Sequence, residues 1–232
     1  MSFVFKANPP SSVAVKGSHK RFPVHRIYCV GRNYAEHARE MGDDPQRDPP
    51  FFFTKPADAI IENGETLPYP QSTKDLQHEI ELVVAIGGSG RDISVKKAKK
   101  LIFGYAVGND FTRRDLQAQA KKARRPWDTA KGFDHGAAIG PIVPVAEAEV
   151  TTGSGIGLKV NGEFRQRAKL GDMIWSVAET ISALSELYEL RPGDLIYTGT
   201  PAGVGPVEPG DVVEGSIQGL GTLSTPIGKP AK

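Results

Sequence analysis

One run constrains this chain more than any other: His78-Glu79-Ile80-Glu81-Leu82-Val83-Val84-Ala85-Ile86-Gly87. Its second half, Leu82 to Ile86, is branched and apolar, as a strand buried on both faces requires. Its first half sets Glu79 and Glu81 into the same strand. Side chains alternate along a strand, so these carboxylates share one face while Ile80 and Leu82 share the other. On an edge strand the pair would simply be solvated. The apolar continuation argues for burial, and a buried carboxylate has to be paired, protonated or bound to a metal. Something positive is therefore expected between Glu79 and Glu81. His78 falls on the opposite face by the same alternation.

A third acid, Asp110, closes a second apolar strand, YAVGND (105–110). Three carboxylates without a thiolate or imidazole cluster suit a hard cation, Mg²⁺ or Mn²⁺, with water filling the remaining positions. Spacing alone does not make Asp110 a neighbour of the glutamates. His37 and Glu40 stand three apart in a helical stretch and can touch. A histidine backed by a carboxylate can take a proton from water. On an ordinary surface helix the same pair has no chemistry, but this short, Gly/Pro-flanked helix is built as lids are. Lys131, in WDTAKGFDHG, reads as a loop lysine unless it meets the acids. Thr198-Gly199-Thr200-Pro201, followed by AGVG, is either an ordinary turn or a loop whose N–H groups and hydroxyls hold an anion.

The remaining chain frames these residues. The 26 glycines and 18 prolines, about a fifth of 232 residues, favour short strands and many turns. Strands are expected at IYCV (27–30) and FFFTK (51–55), and LKVNGEFR (158–165) carries the Asn-Gly signal of a hairpin. Helices are expected after Asn33, with Glu36 in capping-box position and Gly42 as the stop, and in DISVKKAKKLIFG, from Ser94 to Gly104. A third follows Thr112, and a fourth runs through SVAETISALSELYEL behind the Ser176/Glu179 capping box. DDPQRDPP is a loop. Residues 1–25 read as an arm or small cap, and 26–232 as a single catalytic domain that is α+β and mainly β, with a few peripheral helices.

Net charge is +2, so the basic runs KKAKK and KKARR are read as solvated helix faces and no nucleic-acid partner is expected. The single cysteine, Cys29, fits a reducing compartment, and no apolar run approaches the ~20 residues of a membrane span. The N-terminus lacks the basic start and apolar core of a signal peptide. A cytoplasmic protein acting on a small molecule, away from membranes, is the expectation.

The segments YCVGRNYAEHAREMG, PPFFFTKPADAI, HEIELVVAIG, GYAVGNDFTRRDLQ, RRPWDTAKGFD and LRPGDLIYTGTPAGVG occur in this order over about residues 25 to 220. Together they resemble the fumarylacetoacetate hydrolase family, and within it the branch acting on fumarylpyruvate and other acylpyruvates. The resemblance implies a mixed β-sandwich roll, a homodimer, and one Mg²⁺ or Mn²⁺ per subunit on Glu79, Glu81 and Asp110. It implies that Lys131 sits near the metal, that Arg114, Gln117 and Thr200 contact substrate, and that His37 and Glu40 form a lid dyad. The implied reaction is hydrolysis of the C–C bond of an acylpyruvate, 3-fumarylpyruvate first, giving fumarate and pyruvate in gentisate-type aromatic catabolism. Acylpyruvase or oxaloacetate decarboxylase activity is the alternative, followed by an isomerase or hydratase of a related 2-oxo dicarboxylate. The far carboxylate of the substrate needs a cation, for which Arg32 is one candidate.

Overall fold

The acidic strand is the centre of the molecule. In the computed structural model, which describes residues 3–41 and 48–230, all seven residues of Ile80–Ile86 are buried. The strand pairs antiparallel with Ile102–Asp110 on one side and Asp194–Tyr197 on the other. Beyond Asp194–Tyr197 lies Arg26–Gly31, in parallel, and then Phe51–Lys55. Beyond Ile102–Asp110 come Ala137–Ile139 and, parallel to it, Ile60–Glu62. The sheet is therefore mixed. A second sheet has the strand order Glu163–Lys169, Gly155–Val160, Val212–Ile217, Gly221–Gly228, Leu67–Pro68.

Burial on both faces of Ile80–Ile86 has three sources. Ile80 and Leu82 pack against Ile156, Leu158, Val213 and Leu223 of the second sheet, which makes the sandwich. Further along the same face, Val84 and Ile86 are covered by Ile181 and Leu184 of the helix Val177–Leu187. On the opposite face Val83 and Ala85 meet Cys29, Ala106, Ala137 and Tyr197, so this face of the sheet curls upon itself. Small residues permit the curl: a Cβ on Gly108 would stand 2.4 Å from Val83 Cγ2 and 2.8 Å from the Tyr197 ring. Each fully buried Val, Leu or Ile contributes roughly 1.5–3 kcal/mol, so this strand is among the most strongly held segments. The result is a mainly β sandwich roll with few helices, as expected.

The hairpin Ser12–Ala14/Arg21–Pro23 places Val13 and Phe22 in the cluster inside the curl. It is stitched to the sheet by Lys16 N–H to Ile142 O and Ile142 N–H to Ala14 O. The Asn161-Gly162 turn joins Gly155–Val160 to Glu163–Lys169 with both residues at positive φ, as a primed hairpin turn demands. Ser176 and Glu179 form the expected reciprocal capping box.

Three local expectations are corrected. Asn33 does not cap the helix Ala35–Glu40, whose N-cap is Tyr34. Its amide instead donates to Trp175 O and Thr198 O and accepts from Trp175 N–H. Thr112 does not cap Arg114–Ala123 either, because its hydroxyl is committed to Lys131 and to Asp110 O. The segment after Ser94 is only Val95–Ala98 plus a 3₁₀ turn, Lys99–Leu101. Ile102 already belongs to the central sheet, whose pairing outweighs two further residues of helix. Gly42 and most of DDPQRDPP lie outside the described residues.

Candidate active site

The three acids meet at the mouth of the curl. Glu79 lies just before the central strand, Glu81 is cross-strand from Gly108, and Asp110 ends the neighbouring strand. Each offers an oxygen, and these oxygens lie within 4.8 Å of one another, all on buried residues. Tertiary pairing thus supplies the neighbour relation that spacing could not.

Cations are distributed unequally over the triad. Lys131 Nζ donates to Glu79 Oε2 (2.7 Å), Asp110 Oδ2 (2.8 Å) and Thr112 Oγ1 (2.7 Å), using all three protons. Arg114 donates to Glu79 Oε1 (2.5 Å), to Gln77 Oε1 and to Gln117 Oε1. Among the described residues Glu81 has no such partner; its Oε2 accepts from Gly199 N–H at 2.7 Å. Burial opposes charge on both glutamates. At Glu79 the opposition is overcome by Lys131 and Arg114, which hold its carboxyl below the usual range. At Glu81 burial is reinforced by Asp110 and Glu79, and its carboxyl is pushed well above the usual range. Burial also acts against the Lys131 ammonium, but Asp110 and Glu79 keep its pKa raised.

These residues fit a divalent cation. The donor set is all oxygen, and among the described residues Glu81 lacks a cationic neighbour of its own. Asp110 Oδ1 is buried without a hydrogen bond. Lys55 Nζ lies 2.8 Å from that oxygen, yet its protons are directed to the carbonyls of Phe111, Lys131 and Gly136. A hard ion would satisfy Asp110 and remove the repulsion felt by Glu81.

His37 and Glu40 stand on the opposite wall. His37 Nδ1 is 3.1 Å from Glu40 Oε2, which assigns the proton to Nδ1 and the lone pair to Nε2 in the neutral ring. Glu40 also accepts from Gly203 N–H at 3.0 Å. Two N–H groups of the TGTPAGVG loop, those of Gly199 and Gly203, are therefore taken by the protein's own carboxylates, Glu81 and Glu40. Gly199 and Gly203 both need positive φ, and a Cβ on Gly203 would stand 2.1 Å from Arg165 O.

The cleft between these walls is lined by His37, Glu79, Glu81, Arg114, Gln117, Lys131 and Thr200, with Arg32 and Lys121 also on its lining. Phe51 and Phe53 pack on Trp127 to form an aromatic side wall. All ten residues singled out by the sequence thus lie in or directly behind one cleft. Arg114 lines the cleft and also grips the acidic wall, with three of its five N–H groups on Glu79, Gln77 and Gln117. Gln117 accepts from Arg114 and keeps its NH₂ for the cleft.

Sequence reasoning missed Lys55, Lys121 and Gln166. Lys55 shares a strand face with Phe51 and Phe53, an alternation that marks it as inward-facing. Lys121 was read as part of a solvated run, yet it follows Arg114 and Gln117 at helical spacing. Gln166 is fully buried in a strand whose neighbours are exposed, and no local pattern announced it.

A profile of the fumarylacetoacetate (FAA) hydrolase C-terminal family matches residues 26–228. The chain belongs to this family. Among curated members, a fumarylpyruvate hydrolase from a Ralstonia species is 46% identical over 178 residues, covering 77% of this chain and 92% of that protein. Oxaloacetate tautomerase YcgM of Escherichia coli is 38% identical, covering 88% and 93%. Among solved structures, fumarylpyruvate hydrolase from Pseudomonas aeruginosa in complex with Mn²⁺ and pyruvate is 51% identical. It covers 98% of this chain and 100% of that one, with a TM-score of 0.95. Family membership makes this chain an enzyme of the hydrolase/isomerase type. Among the described residues no helix is long and apolar enough to cross a membrane.

Proposed function

We propose that the chain hydrolyses the C–C bond of an acylpyruvate, with 3-fumarylpyruvate as the preferred substrate. The observation that carries this reading is the His37–Glu40 pair facing the carboxylate triad across one cleft. A base on one wall and an anion-stabilising centre on the other are what addition of water and release of an enolate require. The names of the Ralstonia and Pseudomonas relatives support the same substrate.

A Mg²⁺ or Mn²⁺ held by Glu79, Glu81 and Asp110 would supply Lewis-acid stabilisation of the negative charge developing on the 2-oxo oxygen. The residues of the chain do the rest. Thr200 and the NH₂ of Gln117 orient the pyruvate end. Lys131 holds Glu79 and Asp110 in place and balances their charge. His37 Nε2 takes a proton from water while Glu40 fixes the ring and stabilises its charged form. The water oxygen adds to the C4 carbonyl, the C3–C4 bond breaks, and its electron pair leaves on C3 as pyruvate enolate. A proton returned to C3 gives pyruvate, and the acyl group departs as fumarate. Arg32 and Lys121 lie on the cleft lining and bring positive charge to the far carboxylate. The aromatic wall of Phe51, Phe53 and Trp127 suits the flat conjugated middle of the substrate.

Oxaloacetate chemistry is the second reading. It is favoured by the name of the E. coli relative and by its use of the same enolate without an attacking water. The test is kcat/KM for fumarylpyruvate, acetylpyruvate and oxaloacetate with saturating Mn²⁺. Fumarylpyruvate is expected to lead by at least tenfold, and Lys121→Ala and Arg32→Ala to raise its KM more than that of acetylpyruvate. A lead for oxaloacetate overturns the assignment.

A further inference from the structure

Gln166 is not itself on the cleft lining, yet it is completely buried and in contact with Thr200, which is. Its Oε1 lies 3.1 Å from Ile80 N and 3.0 Å from His78 Nδ1. Its Nε2 lies 2.8 Å from Thr200 Oγ1 and 2.7 Å from Pro201 O. Two of these contacts leave no choice of amide orientation. The Ile80 N–H can only donate, so Oε1 must face it. The Pro201 carbonyl can only accept, so Nε2 must face that side. The two other contacts are then determined as well. His78 presents Nδ1–H to Oε1, and Thr200 Oγ1 accepts from Nε2.

The consequence lies at Thr200. A hydroxyl has one proton to give, and a threonine that accepts from Gln166 keeps that proton. Among the described residues nothing accepts it. Thr200 is 2% exposed and lines the cleft, so a ligand oxygen is the acceptor available to it. We infer that Gln166 is a positioning residue that fixes the Thr200 hydroxyl as a hydrogen-bond donor toward an anionic oxygen of the bound 2-oxo acid. His78 completes the arrangement by filling the second lone pair of Oε1, leaving the amide no freedom to flip. This rests on Thr200 contacting the 2-oxo acid, as set out above.

The probe is oxalate, a compact mimic of the pyruvate enolate, measured as a Kd on the Mn²⁺-loaded protein by calorimetry and as a Ki. Gln166→Glu keeps acceptors for Ile80 and His78 but turns the Thr200 contact round, so that the hydroxyl donates to the new carboxylate. Oxalate affinity should fall ~10–100-fold, the range for a hydrogen bond to a charged group. KM should rise more than kcat falls, and metal affinity should stay within twofold. Thr200→Val should produce a similar loss, and Gln166→Glu should add less than twofold in the Thr200→Val background. Equal losses in both backgrounds, or none at Gln166 while Thr200→Val is impaired, overturn the inference and leave the Thr200 contact standing. No loss at Thr200→Val removes the contact itself and the inference with it. Should Gln166→Glu not fold, neutron diffraction of the native Mn²⁺–oxalate complex decides: a Thr200 deuteron aimed at oxalate supports the inference, and one aimed elsewhere overturns it.

Discussion

The two walls of the cleft are built on opposite terms. The acidic wall grows from a strand buried along its whole length, and its side chains are held by Lys131, Arg114 and the Gly199 N–H. The basic wall is a six-residue helix without a side-chain cap, too short to be stable by itself. It is held from outside, by the Asn33 amide on Trp175 and Thr198, a bridge between Tyr34 and Met173, and the Gly203 N–H on Glu40. The lesson is a division of labour. Charge that must remain in place whatever is bound sits on the sheet. The group proposed to take the proton from water, His37, sits on a tethered element.

The sharpest test cuts the acidic wall. Glu81→Ala should reduce activity to background and abolish Mn²⁺ binding in calorimetry, because no other described carboxylate can take its place. It should leave the metal-free fold as stable as before or more so, since a buried, cation-poor carboxylate has been removed. A Glu81 variant that still binds Mn²⁺ tightly, or full activity in a thoroughly chelated wild-type sample, breaks the account of that wall.

The basic wall should fail differently. His37→Ala is expected to lower kcat by ~10²–10⁴-fold, the usual loss for a general base, with Mn²⁺ affinity unchanged. Loss of metal together with His37 would mean that the walls are one unit and that the comparison is false.

How far the sequence revealed these walls follows from how each is encoded. The acidic wall was legible because it breaks a strong local rule, charges inside an apolar strand, and the hairpin and the helix behind Ser176 were legible from short-range turn and capping chemistry. Asp110, Lys131 and His37 stood out as single residues, and the family motifs then tied them to one site. What stayed hidden is held by long-range contacts. Asn33 and Thr112 both carry the signature of a helix cap, and each is drawn away by a tertiary partner worth more than a cap. Gln166 reaches Thr200 across 34 positions and Ile80 across 86, and no window of sequence contains such a relation. The TGTPAGVG loop was left open between an ordinary turn and an anion-holding loop, and two of its N–H groups meet the carboxylates of Glu81 and Glu40.

A tether can be cut without touching the dyad. Gly203 sits at φ +94, where alanine is strained and its Cβ meets Arg165 O. Gly203→Ala should cost about 1 kcal/mol or more, a fall in Tm of a few degrees. It should also lower kcat roughly tenfold by loosening Glu40, with Mn²⁺ affinity preserved. An unchanged kcat would show that the Gly203 contact serves folding alone.

The smallest effect separates two residues within the acidic wall. Glu79 is held below its ordinary pKa, so its contribution to stability is present above about 4.3, the ordinary glutamate value, and is lost as pH falls through the folded value. Glu81 is raised, so the metal-free protein is favoured below about 4.3 and loses that stability as pH climbs through the folded value. The two glutamates should therefore tilt the stability curve in opposite directions in adjoining windows. Thermal melts of chelated protein should show Tm declining as pH rises above the ordinary range, and Glu81→Gln should flatten that decline. Mn²⁺ should flatten it too, because a cation beside Glu81 removes the reason for its protonation. The metal must then displace a proton at low pH, and apparent Mn²⁺ affinity should fall by at most about tenfold per unit there, with one proton released per ion. A metal-free stability curve that Glu81→Gln leaves unchanged would mean that Glu81 carries its charge comfortably, and that the acidic wall does not depend on an ion to relieve it.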